Sequence, residues 1–386
     1  MRRSSTILII LFILIGHACV EPYDLKNISY DNALIVEGHI SNINKPQQIK
    51  LSRTSTLNER VFIPESGANV RVESESGESI QFNEVKPGIY ESTAFAGVVG
   101  EGYTLSITTN SGRKYKSNQV MLRDVPPIGK IYAEFVTTPE RGIKISVDSE
   151  DPQNKTHYYR WDYIETYEIH TPFPSNYWVP PGTDSAVWRY DRVDVCWASD
   201  TLRKVLIKST NTQAQDKVIG YQLRFIPESS YIFRVKYSML VQQYALSEEA
   251  YNYWELTRIF NETQGSLADV QPGTITSNIV GVTDPKETVL GYFDASAISE
   301  QRVFFDYRDY KDDGYERPGF RSSCFELTPI YVVVVDIGPY MELHDHELAI
   351  WDAIGFWPTG QLELLPIGCC DCSDMGTTVK PSFWED

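Results

Sequence analysis

The chain has 386 residues and carries 52 Asp and Glu against 35 Lys and Arg, for a formal charge of −17 at neutral pH. A surface this acidic repels phosphate backbones, and no Lys/Arg run longer than two residues offsets it, which excludes nucleic-acid binding. The length is that of two domains, and 12% aromatic residues, 24 of them Tyr, supply apolar matter for sizeable cores.

The first element is an export signal. Arg2 and Arg3 precede an apolar core at 6–15, "TILIILFILI", which at ten residues is too short to cross a bilayer as a helix. Residues 1–18 therefore read as a signal peptide, and removing them makes the chain two charges more negative because both arginines go. Cys19 follows at the change from apolar to acidic sequence. It reads as the acceptor of lipid at the head of a tether over 19–32. Gly16 and His17 depart from the usual lipoprotein signal, whereas Ala18 fits it.

From 34 to 120 the apolar pattern has period two. Leu34, Val36 and Ile40 alternate with polar positions, as do Val70 with Val72, Ile80 with Phe82, and Tyr103, Leu105 and Ile107. Turn chemistry at "ESGA", "SESGES", "KPG" and "NSG" separates the runs. About seven short strands at this spacing predict an Ig-like or transthyretin-like β-sandwich over 33–124. "RDVPPIGK" at 123–130 marks the boundary, since paired prolines favour an extended connector.

A larger β-rich domain is predicted over 128–386. "HYYRWDYIETYEI" reads as a long aromatic strand, Tyr231 to Val241 as a strand with every second residue on one face, and "IYVVVV" at 330–335 as a strand buried on both faces. Residues 247–263 break the rhythm. Ala250, Tyr253, Trp254, Leu256 and Phe260 lie near a helical stripe, with Ser247 as N-cap and Glu248 and Glu249 at the positive helix end. A second helical stretch is expected near 341–353.

The chemistry-bearing clusters are few. "HDHE" at 344–347 fails the zincin spacing because Ile350 stands where the second His belongs, so it reads as a polar segment. "DYRDYKDDG" places Lys311 at a calcium-ligand position and Phe320 where the bidentate Glu belongs, and reads as a charged surface loop. No nucleophile elbow, P-loop or selectable carboxylate pair occurs, so no catalytic residue, metal or cofactor is assigned. "TPFPSNYWVPPG" at 171–182 holds four prolines. A proline-stiffened loop loses little entropy on binding, which makes Phe173, Tyr177 and Trp178 candidate ligand-binding residues. Large aromatics are mostly buried, which favours the alternative of a lid folded back on the core. The tail at 369–386 carries Cys369, Cys370 and Cys372. With Cys19 given to lipid, five cysteines remain, and pairing with Cys196 and Cys324 allows two bridges and leaves one thiol over.

Together "CVEPYD", "ALIVEGHISN", "IKLSRT", "GANVRVES", "PGIYES" and "GYTLSITTNSGRKYKS" resemble a family of Bacteroidota lipoproteins defined as domain of unknown function 4249. So do "YSMLVQQYALSEEAYNYW", "QGSLADVQPG", "ETVLGYFDASAISEQRVFF" and "CCDCSDMGTTVKPSFW" in the second domain. The resemblance implies an exported, lipid-anchored protein of the outer membrane, with members often encoded beside receptors of the TonB-dependent type. It supplies no reaction. The resulting expectation is a non-catalytic binding or accessory subunit of such a transport system. The alternatives are an envelope hydrolase using carboxylates of the second domain, or a structural or adhesive surface module.

Overall fold

A computed structural model describes residues 32–54, 63–174, 177–178, 187–188, 190–201, 204–263, 277–320, 324, 330–333, 348–352 and 361–385. The fold is mainly β. The period-two runs of the first third become strands Leu34–Ile40, Lys45–Arg53, Asn69–Ser74, Ser79–Lys86, Ile89–Phe95, Gly102–Thr108 and Lys114–Ser117, each antiparallel to its neighbours among them. Their inward residues, Val36, Ile49, Val72, Phe82 and Leu105 among them, share one buried core.

The strands predicted to form a sandwich are joined by hydrogen bonds in one continuous eleven-stranded sheet. A flat sheet cannot bury its own face, so this one wraps around its core. Two of its strands come from far along the chain. Ile279–Gly281 sits at one end of the path on Lys114–Ser117, and Val289–Ala295 sits at the other, parallel to Leu34–Ile40. Parallel neighbours need a crossover, and here the intervening second unit supplies it. Asn278 ties the two ends of the sheet together. Its Nδ2 donates to the carbonyl of Phe293 at 2.7 Å, and the Phe293 N–H donates to its Oδ1 at 3.0 Å. The carboxamide thus takes the place of a ladder rung between the end strands.

The second unit packs a three-stranded sheet (Ile128–Val136, Gly142–Glu150, Lys217–Pro227) on a five-stranded one. The latter is built on Tyr158–His170 and Lys236–Ala245, flanked by Val195–Thr201, Leu206–Ser209 and Ile298–Asp306. Ile143, Ile145 and Val147 from one sheet meet Trp161, Tyr237 and Met239 from the other. A further five-stranded sheet contains Tyr177–Trp178, Val187–Trp188, Ile330–Val333, Leu348–Asp352 and Gln361–Pro366.

The tail is stapled to this unit by disulfides Cys196–Cys372 and Cys324–Cys369, while Cys370 remains a buried thiol. Among the described residues one α-helix, α1, spans Glu248–Thr263, and Ser247 caps it by accepting from the Ala250 N–H at 3.0 Å. Two expectations change. Tyr231–Phe233 is a 3-10 turn and the strand begins at Lys236, because Tyr231 turns to pack on Tyr167 and Phe320. Within the expected second helix, Leu348–Asp352 is a strand paired with Gln361–Pro366.

Candidate functional site

The wrapped sheet, the linker and α1 meet at one junction. Linker residue Arg123 is held there by backbone, its carbonyl accepting from the Ala297 N–H at 2.9 Å just past the end of the parallel strand. Tyr253 of α1 stacks on Tyr292 of that strand with ring centroids 4.8 Å apart. Around these contacts opens a cavity of about 550 Å³ whose wall includes Gln119, Arg123, Glu249, Asn252, Tyr253 and Asp294. A second cavity of about 650 Å³ adjoins it along Pro126, Pro127 and His157, and Met121, Arg123 and Glu249 line both. Volumes of about 300–1,000 Å³ at a junction between structural units are typical of small-ligand sites.

The electrostatics are mixed in sign. Asp294 is only 7% exposed. Burial raises its carboxyl above the usual range, against the pull of Arg160 and Arg123. One carboxylate oxygen accepts from the Ala295 N–H at 2.9 Å, and the other finds no partner among the described residues. Glu249 is held below its usual range by its own backbone N–H, the Ser247 hydroxyl and Arg123. Behind this wall, the Arg160 guanidinium lies 4.2 Å from the Tyr244 ring centroid and 4.5 Å from that of Trp254. It also pairs with Asp162 at 2.9 Å. His39 meets Ser296 at 2.8 Å and stands edge-on to Tyr244. The junction is therefore pinned by a polar and aromatic cluster drawn from both units. In the wall of the first cavity, the side chains of Asn118, Gln119 and Asn252 make no hydrogen bond among the described residues and remain available to a ligand.

The residues singled out from sequence lie elsewhere. Phe173 packs against the cysteine cluster of the tail, and its N–H donates to the Cys369 carbonyl at 3.2 Å. Tyr177–Trp178 is a short strand paired with Val187–Trp188 and, through Tyr177, with Ile350. Cys19 and residues 344–347 lie outside the described residues. The calcium-like segment forms a 3-10 turn, Tyr307–Tyr310, whose N-cap Asp306 is chelated by Arg308, and Phe320 is buried in the tail core. Among the described residues no group of His, Cys, Asp and Glu is arranged to hold a metal, and no helix is long and apolar enough to cross a membrane.

The junction residues carried a faint signal in the sequence. Asp294 interrupts the apolar "GYFDASA" and Arg160 the aromatic "YYRWDY", and a charge inside a core-like run must find compensation. Nothing in the sequence said that these two would face the same junction.

A family model described as "Domain of unknown function (DUF4249)" matches residues 20–302. The chain belongs to the DUF4249 family. The junction residues Arg123, Arg160, Glu249 and Asp294 all fall inside the DUF4249 match, whereas Cys324, Cys369 and Cys372 lie beyond it. No curated protein matches the chain. Among solved structures, a DUF4785 family protein from Legionella pneumophila is similar at 11% identity, over 54% of this chain and 51% of that one, with a TM-score of 0.18. The chain thus spans about half the length of that protein, and the likeness is too slight to inform the DUF4249 fold or site.

Proposed function

We propose that the protein is a non-catalytic binding subunit of the cell envelope. It is tethered by lipid on Cys19 and works with an outer-membrane transporter of the TonB-dependent type. The carrying observation is the junction itself, where two adjoining cavities share Arg123 and Glu249 and the smaller one is lined by carboxamides that make no side-chain hydrogen bond among the described residues. Such a site favours capture of a small polar ligand. The signal sequence and Cys19 support export and anchoring, and two disulfides suit an oxidising compartment outside the cytoplasm. A single acyl chain gives marginal attachment, and two or more anchor firmly.

The test is crosslinking in intact cells followed by purification from membranes, run beside Cys19→Ser with palmitate labelling. The expected result is labelled wild type in the outer-membrane fraction with a β-barrel receptor enriched, and unlabelled Cys19→Ser released from it. Equal labelling of the two proteins would remove Cys19 as the acceptor. Recovery of the wild type with no receptor enriched would overturn the transporter assignment.

A further inference from the structure

The tail helps to build a third cavity, of about 580 Å³, against the five-stranded sheet of the second unit. Its wall carries five cationic side chains (Arg192, Lys236, Arg308, Arg317, Lys380) against three acidic ones (Glu168, Asp306, Glu385). In a chain with a formal charge of −17, a local excess of bases needs a reason.

Several of these charged groups already have partners, Arg192 with Asp194 at 2.9 Å among them. Arg308 forks onto both oxygens of Asp306, at 2.8 and 2.5 Å, and His170 Nε2 lies 2.6 Å from Glu168. Two of the bases form no ion pair within hydrogen-bonding distance among the described residues, although Lys236 lies across the strands from Asp306 and helps to hold its carboxyl low. Lys236 donates to the backbone carbonyl of Glu385 at 2.8 Å and Arg317 to that of Arg234 at 3.2 Å. The Arg234 guanidinium behind them is pushed down by burial and by the like charge of Arg317. Aromatic groups complete the wall. The Arg317 guanidinium carbon lies 5.2 Å from the Tyr307 ring centroid, and Trp384 packs edge-on to Trp197 and Phe304. The Trp197 indole N–H is buried and finds no acceptor among the described residues.

We infer that this tail pocket binds a small multivalent oxyanion, a phosphate- or carboxylate-bearing molecule gripped by Arg317 and Lys236 beside the Trp197 indole. Guanidinium and ammonium groups bind such oxygens through charge-assisted hydrogen bonds, which are roughly twice as strong as neutral ones. The low-dielectric walls of Trp384 and Tyr307 strengthen the attraction. A cationic ligand would meet like charge from Arg317 and Lys236, and a neutral one would leave Arg317 without a carboxylate partner and Lys236 with only a share of Asp306. The site is separate from the junction cavities and stands whether or not those bind a ligand.

The test is isothermal titration calorimetry of the full chain with inorganic phosphate and with citrate, at ionic strength held constant with NaCl. Tryptophan fluorescence follows binding through Trp197 and Trp384. Saturable binding of at least one anion is expected, weakened by about tenfold or more in both Arg317→Glu and Lys236→Gln. Lys50→Gln, on the wrapped sheet, is expected to bind as the wild type does. Arg317 is exposed, and circular dichroism of each variant separates lost binding from lost fold. No binding of either anion, displacement by chloride at equal ionic strength, or wild-type affinity in either folded variant would overturn the site.

Discussion

His39 shows how a single side chain is shaped by the junction. It lies on the first strand of the wrapped sheet yet faces the second unit, beside Ser296, Tyr244 and the guanidinium of Arg160. Burial first, and then the charges of Arg160 and Lys45, push its imidazole down from 6.5 to about 3. Protonation would add another cation to a place already holding Arg160. The unfolded chain takes up this proton as pH falls below 6.5, whereas the folded chain does so only near 3, so stability declines across that window. One proton corresponds to at most about 1.4 kcal/mol per pH unit. Thermal melts of the wild type are expected to fall by a few degrees between pH 7 and pH 5. His39→Gln keeps a partner for Ser296 but removes the titration, and its melting temperature should be flatter over the same range. The carboxylates held low, Asp151, Asp194 and Asp306, act in a different window. Their share of stability is present above the ordinary carboxylate range and is lost only as pH falls through it toward their folded values, which keeps the two effects separable. Equal slopes in the two proteins would mean that His39 is solvated rather than buried.

Among the elements, local order was legible in the sequence and long-range pairing was not. Alternation at Val70, Val72, Ile80 and Phe82 gave strands because a half-buried strand must show one face to the core every second residue. Ser247, with two glutamates behind it, gave the start of α1 because both features satisfy or complement free N–H groups. The register of Val36 with Gly291 had no such mark. The two strands are separated by the whole second unit, and each alternates well enough to sit in any sheet. Gly291 itself carried a hint, since its φ of +87° and the nearness of the Val36 carbonyl exclude a side chain there. Tyr231 to Val241 misled for the opposite reason. Its period is regular, but Tyr231 and Phe233 belong to different aromatic clusters, and the turn between them redirects each. Asn278 marks the limit of sequence reading, because a carboxamide serving as a rung looks like any loop asparagine. Replacing it with Ala strips the buried N–H and carbonyl of Phe293 of their partners. Asn278→Ala is expected to cost about 2–6 kcal/mol, at roughly 1–3 kcal/mol for each of the two unsatisfied groups. Faster amide exchange should appear in Val289–Ala295, measured by hydrogen–deuterium exchange and denaturant unfolding. A loss below about 0.5 kcal/mol would mean that the ends of the sheet need no tie.

Taken whole, the molecule is two β units laced together by chain that crosses between them and by a tail that returns. The polypeptide leaves the wrapped sheet at Arg123, builds the second unit, goes back to supply Ile279–Gly281 and Val289–Ala295, and then re-enters the second unit at Ile298–Asp306. This threading puts the junction cavities between elements distant in sequence, which is why Arg123 and Asp294 could not be matched from spacing alone. The tail is held to the second unit by backbone and by covalent bonds. Thr377 exchanges backbone hydrogen bonds with Trp197 at 2.8 and 2.9 Å, and Cys372 ties the same strand covalently through Cys196. The two bridges differ in the length of chain they enclose, with sequence separations of 176 and 45. In the chain-entropy picture a longer loop removes more freedom from the unfolded state, by about 1 kcal/mol for these two lengths, on top of the roughly 2–4 kcal/mol typical of any bridge. Guanidinium unfolding of Cys196→Ser/Cys372→Ser is therefore expected to show the greater loss, and Cys324→Ser/Cys369→Ser the smaller. The former should also release the tail, exposing Trp384, which is 7% exposed in the folded chain, and red-shifting its fluorescence before the second unit unfolds. If the shorter loop proved the more important, the bridges would act by holding native contacts around Phe173 and Ile169 rather than by restraining the unfolded chain.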